Sequence, residues 1–156
     1  MNNIMWSYLD KRSATITVLK DYSDMRFIND NYHQQHQQLE DKMVGLTSPQ
    51  LSLSPGGHGY SNRQEDRLVN GLTKLNCLNE RYQSARAYLE WFEPAWRELT
   101  PDEQWLLDVC YRTPNQSVSK GLLLASDHFF IAKSTAYNKK NLALDHLTLL
   151  LYGSHH

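Results

Sequence analysis

Cysteine is nearly absent from this chain: Cys77 and Cys110 are the only two in 156 residues. That is too few for a disulfide scaffold or, by themselves, a zinc site. Each lies in an apolar helical pattern and reads as a small buried hydrophobe. Long apolar runs are missing too, and none approaches the roughly 18 residues that a membrane span requires. The N-terminal M-N-N-I-M-W-S-Y-L-D lacks a basic region leading into an apolar run, so it does not read as a secretory signal. A reducing, cytoplasmic setting is the expectation.

A surplus of one charge is also missing. Lys and Arg number 16 and Asp and Glu 17, a net charge of -1, so nothing global announces a nucleic-acid binder. The distribution says more. Residues 1–60 hold 5 basic and 6 acidic residues, 61–112 hold 7 and 9, and 113–156 hold 4 and 2. The final segment is therefore +2, while everything before it sums to -3.

Proline and glycine are few, 5 and 7. Pro49, Pro55, Gly56, Gly57 and Gly59 crowd into Thr47–Asn62, and that crowding denies the segment regular structure. Helical patterns lie on both sides of it. Over 15–46, Val18, Met25, Tyr32, Leu39 and Leu46 recur every seven residues, flanked by Tyr22, Ile28, Asn29, His36 and Met43. This stripe is thin and partly polar, as suits a helix with only one or two partners. From about Arg63, Leu68, Leu75, Tyr82, Leu89 and Trp96 hold one heptad position. Gly71, Leu78, Ala85, Phe92 and Leu99 hold the position three residues later. Asn62 with Glu65 has capping-box spacing, and Pro94 predicts a kink or a restart between Trp91 and Trp96. The simplest arrangement pairs 15–46 against 63–92, although the same stripes suit an intermolecular coiled coil.

Beyond this, Leu99-Thr100-Pro101-Asp102-Glu103 is a helix start: a capping hydroxyl, proline in the first turn and two acids at the positive end of the dipole. That helix is expected to reach about Tyr111, with a turn over Arg112–Asn115. A second short helix is expected over 116–125, a polar break at Ser126–His128, and a third helix from Lys133 to Leu150. Trp105, Leu106, Val109, Leu122, Leu123, Phe129, Ile131, Ala136, Leu144 and Leu147 supply one small core. Leucines at 142, 144, 147, 149 and 150 supply the surface that anchors the last helix. Its opening turns carry Lys133, Ser134, Thr135, Tyr137, Asn138, Lys139 and Lys140. Short polar residues and lysines there suit phosphates and base edges, with Lys139 and Lys140 toward phosphate and Asn138 toward a base.

The stretches L-T-P-D-E-Q-W-L-L and I-A-K-S-T-A-Y-N-K-K-N-L-A-L-D-H-L resemble the helix-turn-helix of sigma-factor region 4. Over about residues 15–150 the layout is similar to small phage-encoded sigma-like late-transcription regulators. Ile131 matches the buried residue before the recognition helix, Lys133, Ser134 and Thr135 its polar opening, and Leu144 and Leu147 its inward leucines. The usual turn glycine is Phe130 here, and the usual serine cap is Ala132. The resemblance implies an all-α fold: a long antiparallel helical hairpin over 1–98 with its loop at 47–62, then a three-helix helix-turn-helix domain over 99–152. It implies double-stranded DNA as the partner, RNA polymerase alongside, and regulation of phage or prophage promoters. The heptad helices also allow a homodimer. A phage DNA-packaging small subunit, or a helical adaptor that does not bind DNA, is the alternative.

Catalytic, cofactor and metal sites find little support. His33 and His36 share a helix face but sit in a solvated, glutamine-rich run. Ser54 and His58 lack a strand-borne nucleophile elbow, and P-G-G-H-G has no lysine to serve as a phosphate loop. The expectation is a protein that is not an enzyme, with no cofactor and no metal.

Overall fold

The computed structural model describes the backbone of residues 9–47 and 60–153, and the side chains of 9–45 and 63–153. Most of the expected loop, residues 48–59 with Ser54 and His58, lies outside the described residues, as do residues 1–8 and 154–156. The fold is all-α, with no strand among the described residues. Five α-helices run over Lys11–Thr47 (α1), Tyr60–Glu98 (α2), Pro101–Leu107 (α3), Val118–Phe129 (α4) and Lys133–Tyr152 (α5), and a π-helical segment over Asp108–Arg112 continues α3.

Several boundaries follow from local chemistry. Asp10 accepts from the Ser13 amide at 3.1 Å and the Ser13 hydroxyl at 2.7 Å, closing the start of α1. At α3, Thr100 accepts from the Glu103 amide at 3.3 Å, and the Glu103 carboxylate accepts from the Thr100 amide at 2.9 Å, a reciprocal capping box. The π segment ends where Thr113 donates both its amide and its hydroxyl to the Asp108 carbonyl, each at 3.0 Å.

Other boundaries correct the sequence expectation. α2 begins at Tyr60, so Asn62 lies inside the helix and is not its cap. The same helix continues past Pro94, so of the expected kink or restart the restart does not occur. A proline inside a helix costs about 3 kcal/mol, but Phe92, Ala95 and Leu99 on either side of it are buried in one core. That packing holds the helix together across the missing amide. α4 extends over the expected break, because Ser126 serves the end of the helix: its carbonyl accepts from the Ile131 amide at 3.1 Å and its hydroxyl donates to the Ile131 carbonyl.

The chain forms two compact units whose borders fall inside α1 and α2. Among the described residues, one comprises Arg26–Ala87 and the other joins residues 9–25 with 88–153. The expected division into 1–98 and 99–152 differs from this. The physical reason is a shared core: Leu19, Phe92, Ala95 and Leu99 are buried together with Leu107, Ala143, Leu144, Leu147 and Leu151. Burial of each large side chain contributes about 1.5–3 kcal/mol, so this core ties the start of α1 and the end of α2 to α5.

A second cluster in the same unit joins Leu106, Cys110, Leu122, Ala125 and Ala136, with Trp105, Val109, Phe129 and Ile131 at its edge. The single small core of the sequence reading is therefore two clusters, with Leu144 and Leu147 in the first. Leu123 is exposed, as are Leu142, Leu149 and Leu150, which do not anchor α5. Gly121 permits the close approach of α4 to the π segment: a Cβ there would lie 2.6 Å from the Val109 carbonyl oxygen and 2.9 Å from Cys110 Cα.

In the Arg26–Ala87 unit, α1 and α2 run antiparallel. Tyr32 stacks on Tyr82 with ring centroids 4.0 Å apart, and Met43 Cγ would meet a Cβ on Gly71 at 3.1 Å. Of the expected heptad positions, Leu39, Leu68, Leu75 and Leu78 are half-buried and Ala85 is buried. Cys77 falls outside them and is exposed, against its expected burial; Cys110 is buried.

Candidate nucleic-acid interface

The candidate interface rests on α4, the three-residue connection Phe130–Ala132 and α5. Phe130 ends α4 in the left-handed region (φ 55°, ψ 45°), where a non-glycine residue costs about 1–2 kcal/mol. The residue is 95% exposed. The expected glycine is thus replaced by a residue that adopts the glycine geometry and turns its side chain to solvent. Ala132 holds the N-cap position of α5 in extended conformation, without a side-chain cap. The first-turn amides of α5 therefore face outward with no local side-chain oxygen to occupy them.

The second cluster fixes the helix behind this turn. Ala136 is fully buried against it, and Ala143, Leu144 and Leu147 carry the inward stripe into the first cluster. Trp105 stacks on His128 with centroids 4.0 Å apart and meets the Phe129 ring edge-on at 5.4 Å. At α3, burial pushes the Glu103 carboxyl upward, but the Thr100 amide and His146 outweigh it and hold the group below its usual range. His146 Nδ1 lies 3.0 Å from that carboxylate, a further tie between α3 and α5.

Of the seven residues singled out by sequence, six are exposed on the opening turns of α5: Lys133, Ser134, Thr135, Tyr137, Asn138 and Lys139. At 100° per residue, Ser134, Thr135 and Asn138 fall opposite the buried Ala136–Leu144–Leu147 stripe. Lys139 is partly engaged: its Nζ lies 3.9 Å from the Asp102 carboxylate and 4.3 Å from the Phe129 ring centroid.

Lys140 is a correction. It is only 6% exposed, with Nζ 4.6 Å from the Tyr137 ring centroid and 5.8 Å from that of Tyr111. Its place in the helix turns it inward, between Ala136 and Leu144, and the aromatic faces receive its charge. It is unavailable to a phosphate. Nearby, burial pushes the Cys110 thiol up to about 11, against the opposing pull of Lys140.

Sequence reasoning missed Arg112 as an organising residue. Its guanidinium lies 3.9 Å from the Tyr22 ring centroid and 4.6 Å from that of Trp96, and pairs with Asp108 at 3.0 Å. Burial pushes the Asp108 carboxyl upward, and Arg112 counters it. The signal available was an Asp108–Arg112 pair at i, i+4 beside a turn.

Among the described residues, no group of three or more His, Cys, Asp or Glu gathers as a metal site, and no helix is long and apolar enough to cross a membrane. No family model, curated protein or solved structure matches the chain.

Proposed function

We propose that the protein is a DNA-binding transcription regulator of the sigma region 4-like kind, acting on phage or prophage promoters, with α4 and α5 as its helix-turn-helix. One observation carries the reading: the exposed opening of α5 combines Lys133, Ser134, Thr135 and Asn138 with an end that no side chain caps. Helix N-termini favour phosphate oxygens, and a short amide such as Asn138 suits the edge of adenine in the major groove. Double-stranded DNA is the proposed partner. RNA polymerase alongside it, and a homodimer through the heptad helices, belong to the same proposal.

The cation count sets the expected affinity. With Lys140 turned inward, Lys133 and Lys139 are the lysines left on this opening. Few phosphate contacts mean a shallow salt dependence, so binding by a dimer or beside a partner protein fits better than tight monomeric binding.

The test is selection from a random duplex pool at several salt concentrations, with mass measurement of the recovered complex. Enrichment of a sequence motif that Asn138→Ala relaxes supports the reading; the absence of duplex binding at low salt overturns it. A ring-shaped oligomer would move the assignment to a DNA-packaging subunit. The exposure of Leu142, 69% on the outward side of α5, favours a second reading, a helical adaptor that meets protein and not DNA.

A further inference from the structure

The Arg26–Ala87 unit holds a groove that takes no part in the proposed DNA contact of α5. Its walls are two matched helix faces. α1 contributes Gln35, Gln38, Leu39 and Lys42, and α2 contributes Thr73, Lys74, Cys77, Leu78 and Arg81. The α1 set, and on α2 Lys74, Cys77, Leu78 and Arg81, follow i, i+3, i+4, i+7 spacing, one stripe of a helix about 10 Å long at 1.5 Å per residue; Thr73 stands beside the α2 stripe. The space between them is about 410 Å³. Leu39 and Leu78 remain half-exposed along it, and Cys77 is exposed. A pair of helices gives each stripe one neighbour only; a third helix laid in the slot would cover both leucines.

Charge selects the occupant. Lys42, Lys74 and Arg81 border the groove, and no carboxylate lines it. Among the described residues none of these three cations has an ion-pair partner. The segments of this chain outside the described residues cannot supply the complement, because 1–8, 48–59 and 154–156 contain no Asp or Glu. An apolar floor with a cationic border disfavours nucleic acid, which would leave the leucines uncovered. We propose that this groove receives an acidic amphipathic helix from a partner protein, with apolar residues at i, i+3 or i+4, and i+7 on the leucines and Asp or Glu beside the three cations. The short contact length makes it a weak, exchangeable site. This inference concerns the other unit and does not rest on DNA contact by α5; a homodimer formed through this groove would exclude it.

Cys77 provides the readout, since Cys110 is buried and reacts only on unfolding. The full chain is treated with iodoacetamide, and modification of Cys77 is followed by mass. Three designed helical peptides of about four turns serve as probes: Leu anchors flanked by Glu, the same anchors flanked by Lys, and the Glu peptide with Ser for Leu. The expected result is slowing of Cys77 alkylation by the first peptide alone, with at least about tenfold weaker protection of Lys42→Glu/Lys74→Glu/Arg81→Glu. That variant should instead be protected by the Lys peptide, an exchange of preference that a misfolded variant would not show. The proposal is overturned if the acidic peptide gives no protection at millimolar concentration, or if the Lys or Ser peptide protects the native chain equally. It is also overturned if duplex DNA protects Cys77 as well as the acidic peptide does. Protection that rises with protein concentration alone would give the groove to a second copy and overturn the proposal likewise.

Discussion

Thr148 donates its hydroxyl to Thr15 Oγ1 at 2.9 Å across 133 residues of sequence, and both side chains are fully buried. Thr15 passes its own hydrogen to the Lys11 carbonyl at 2.8 Å, and the Leu144 carbonyl lies 2.7 Å from Thr148 Oγ1 as a second acceptor. A net buried hydrogen bond contributes about 1 kcal/mol. Thr15→Val and Thr148→Val should each lower stability by about that amount. The double variant should lose less than the sum of the two singles, by about the 1 kcal/mol of the mutual bond, because that bond is lost only once. Urea denaturation of the four proteins measures this; fully additive losses would show that the two hydroxyls are not coupled.

Glu103 links the start of α3 to His146 on α5, and its carboxyl is held below the ordinary value of 4.5. A group with a depressed folded value contributes stability that is present above its unfolded value and is lost as pH falls through the folded one. Glu103→Gln keeps an acceptor for the Thr100 amide while removing the charge. The native chain should exceed this variant in stability at pH 6, and the gap should close as pH drops below about 4.5. Thermal melts at pH 6, 5, 4 and 3 decide it, and a gap that does not change with pH would leave the carboxylate charge without effect.

Gly121→Ala tests the approach of α4 to the π segment. Alanine gains about 1 kcal/mol of helix propensity over glycine, but its Cβ would meet the Val109 carbonyl oxygen at 2.6 Å. Backbone cannot rotate away as a side chain can, and overpacking of this kind costs about 1–3 kcal/mol. The expected outcome is a Tm lower by several degrees. An unchanged or raised Tm would mean that the two segments separate easily.

Lys133 and Lys140 should part company in a binding assay. Lys133→Ala should lower duplex affinity and reduce the salt slope by about 0.9, the loss of one phosphate contact. Lys140→Met keeps the buried stem and removes the charge over Tyr137 and Tyr111. It should leave affinity and slope unchanged and act on stability alone, by about 1 kcal/mol or less in either direction. Equal losses of duplex binding from the two variants would contradict the inward placement of Lys140.

Much of the helical framework is legible in the residues because its causes are local. Thr100 and Glu103 sit three apart and form the expected cap, and the stripe from Leu68 to Leu99 marks the least exposed face of α2. What is illegible depends on distant neighbours. Lys140 looks like its neighbour Lys139 until Tyr111 arrives from the π segment. Ser126 looks like a helix breaker until its hydroxyl closes on Ile131. Leu19 stands beside the more regular Val18 stripe, and nothing nearby shows that Phe92 and Leu144 will enclose it. Of the proposed interface, the exposed opening of α5 was visible as composition, while Phe130 and Arg112 acquire meaning only from backbone angle and ring geometry.

Leu19 shares its core with Leu144, Leu147 and Leu151, so it leaves the ribosome long before the residues that will cover it exist. During synthesis the part of this core that α5 closes stays open to solvent until α5 emerges. A nascent chain halted anywhere before Leu144 therefore displays the kind of uncovered surface that chaperones and proteases recognise. Only completion of the last helix supplies the residues that cover it.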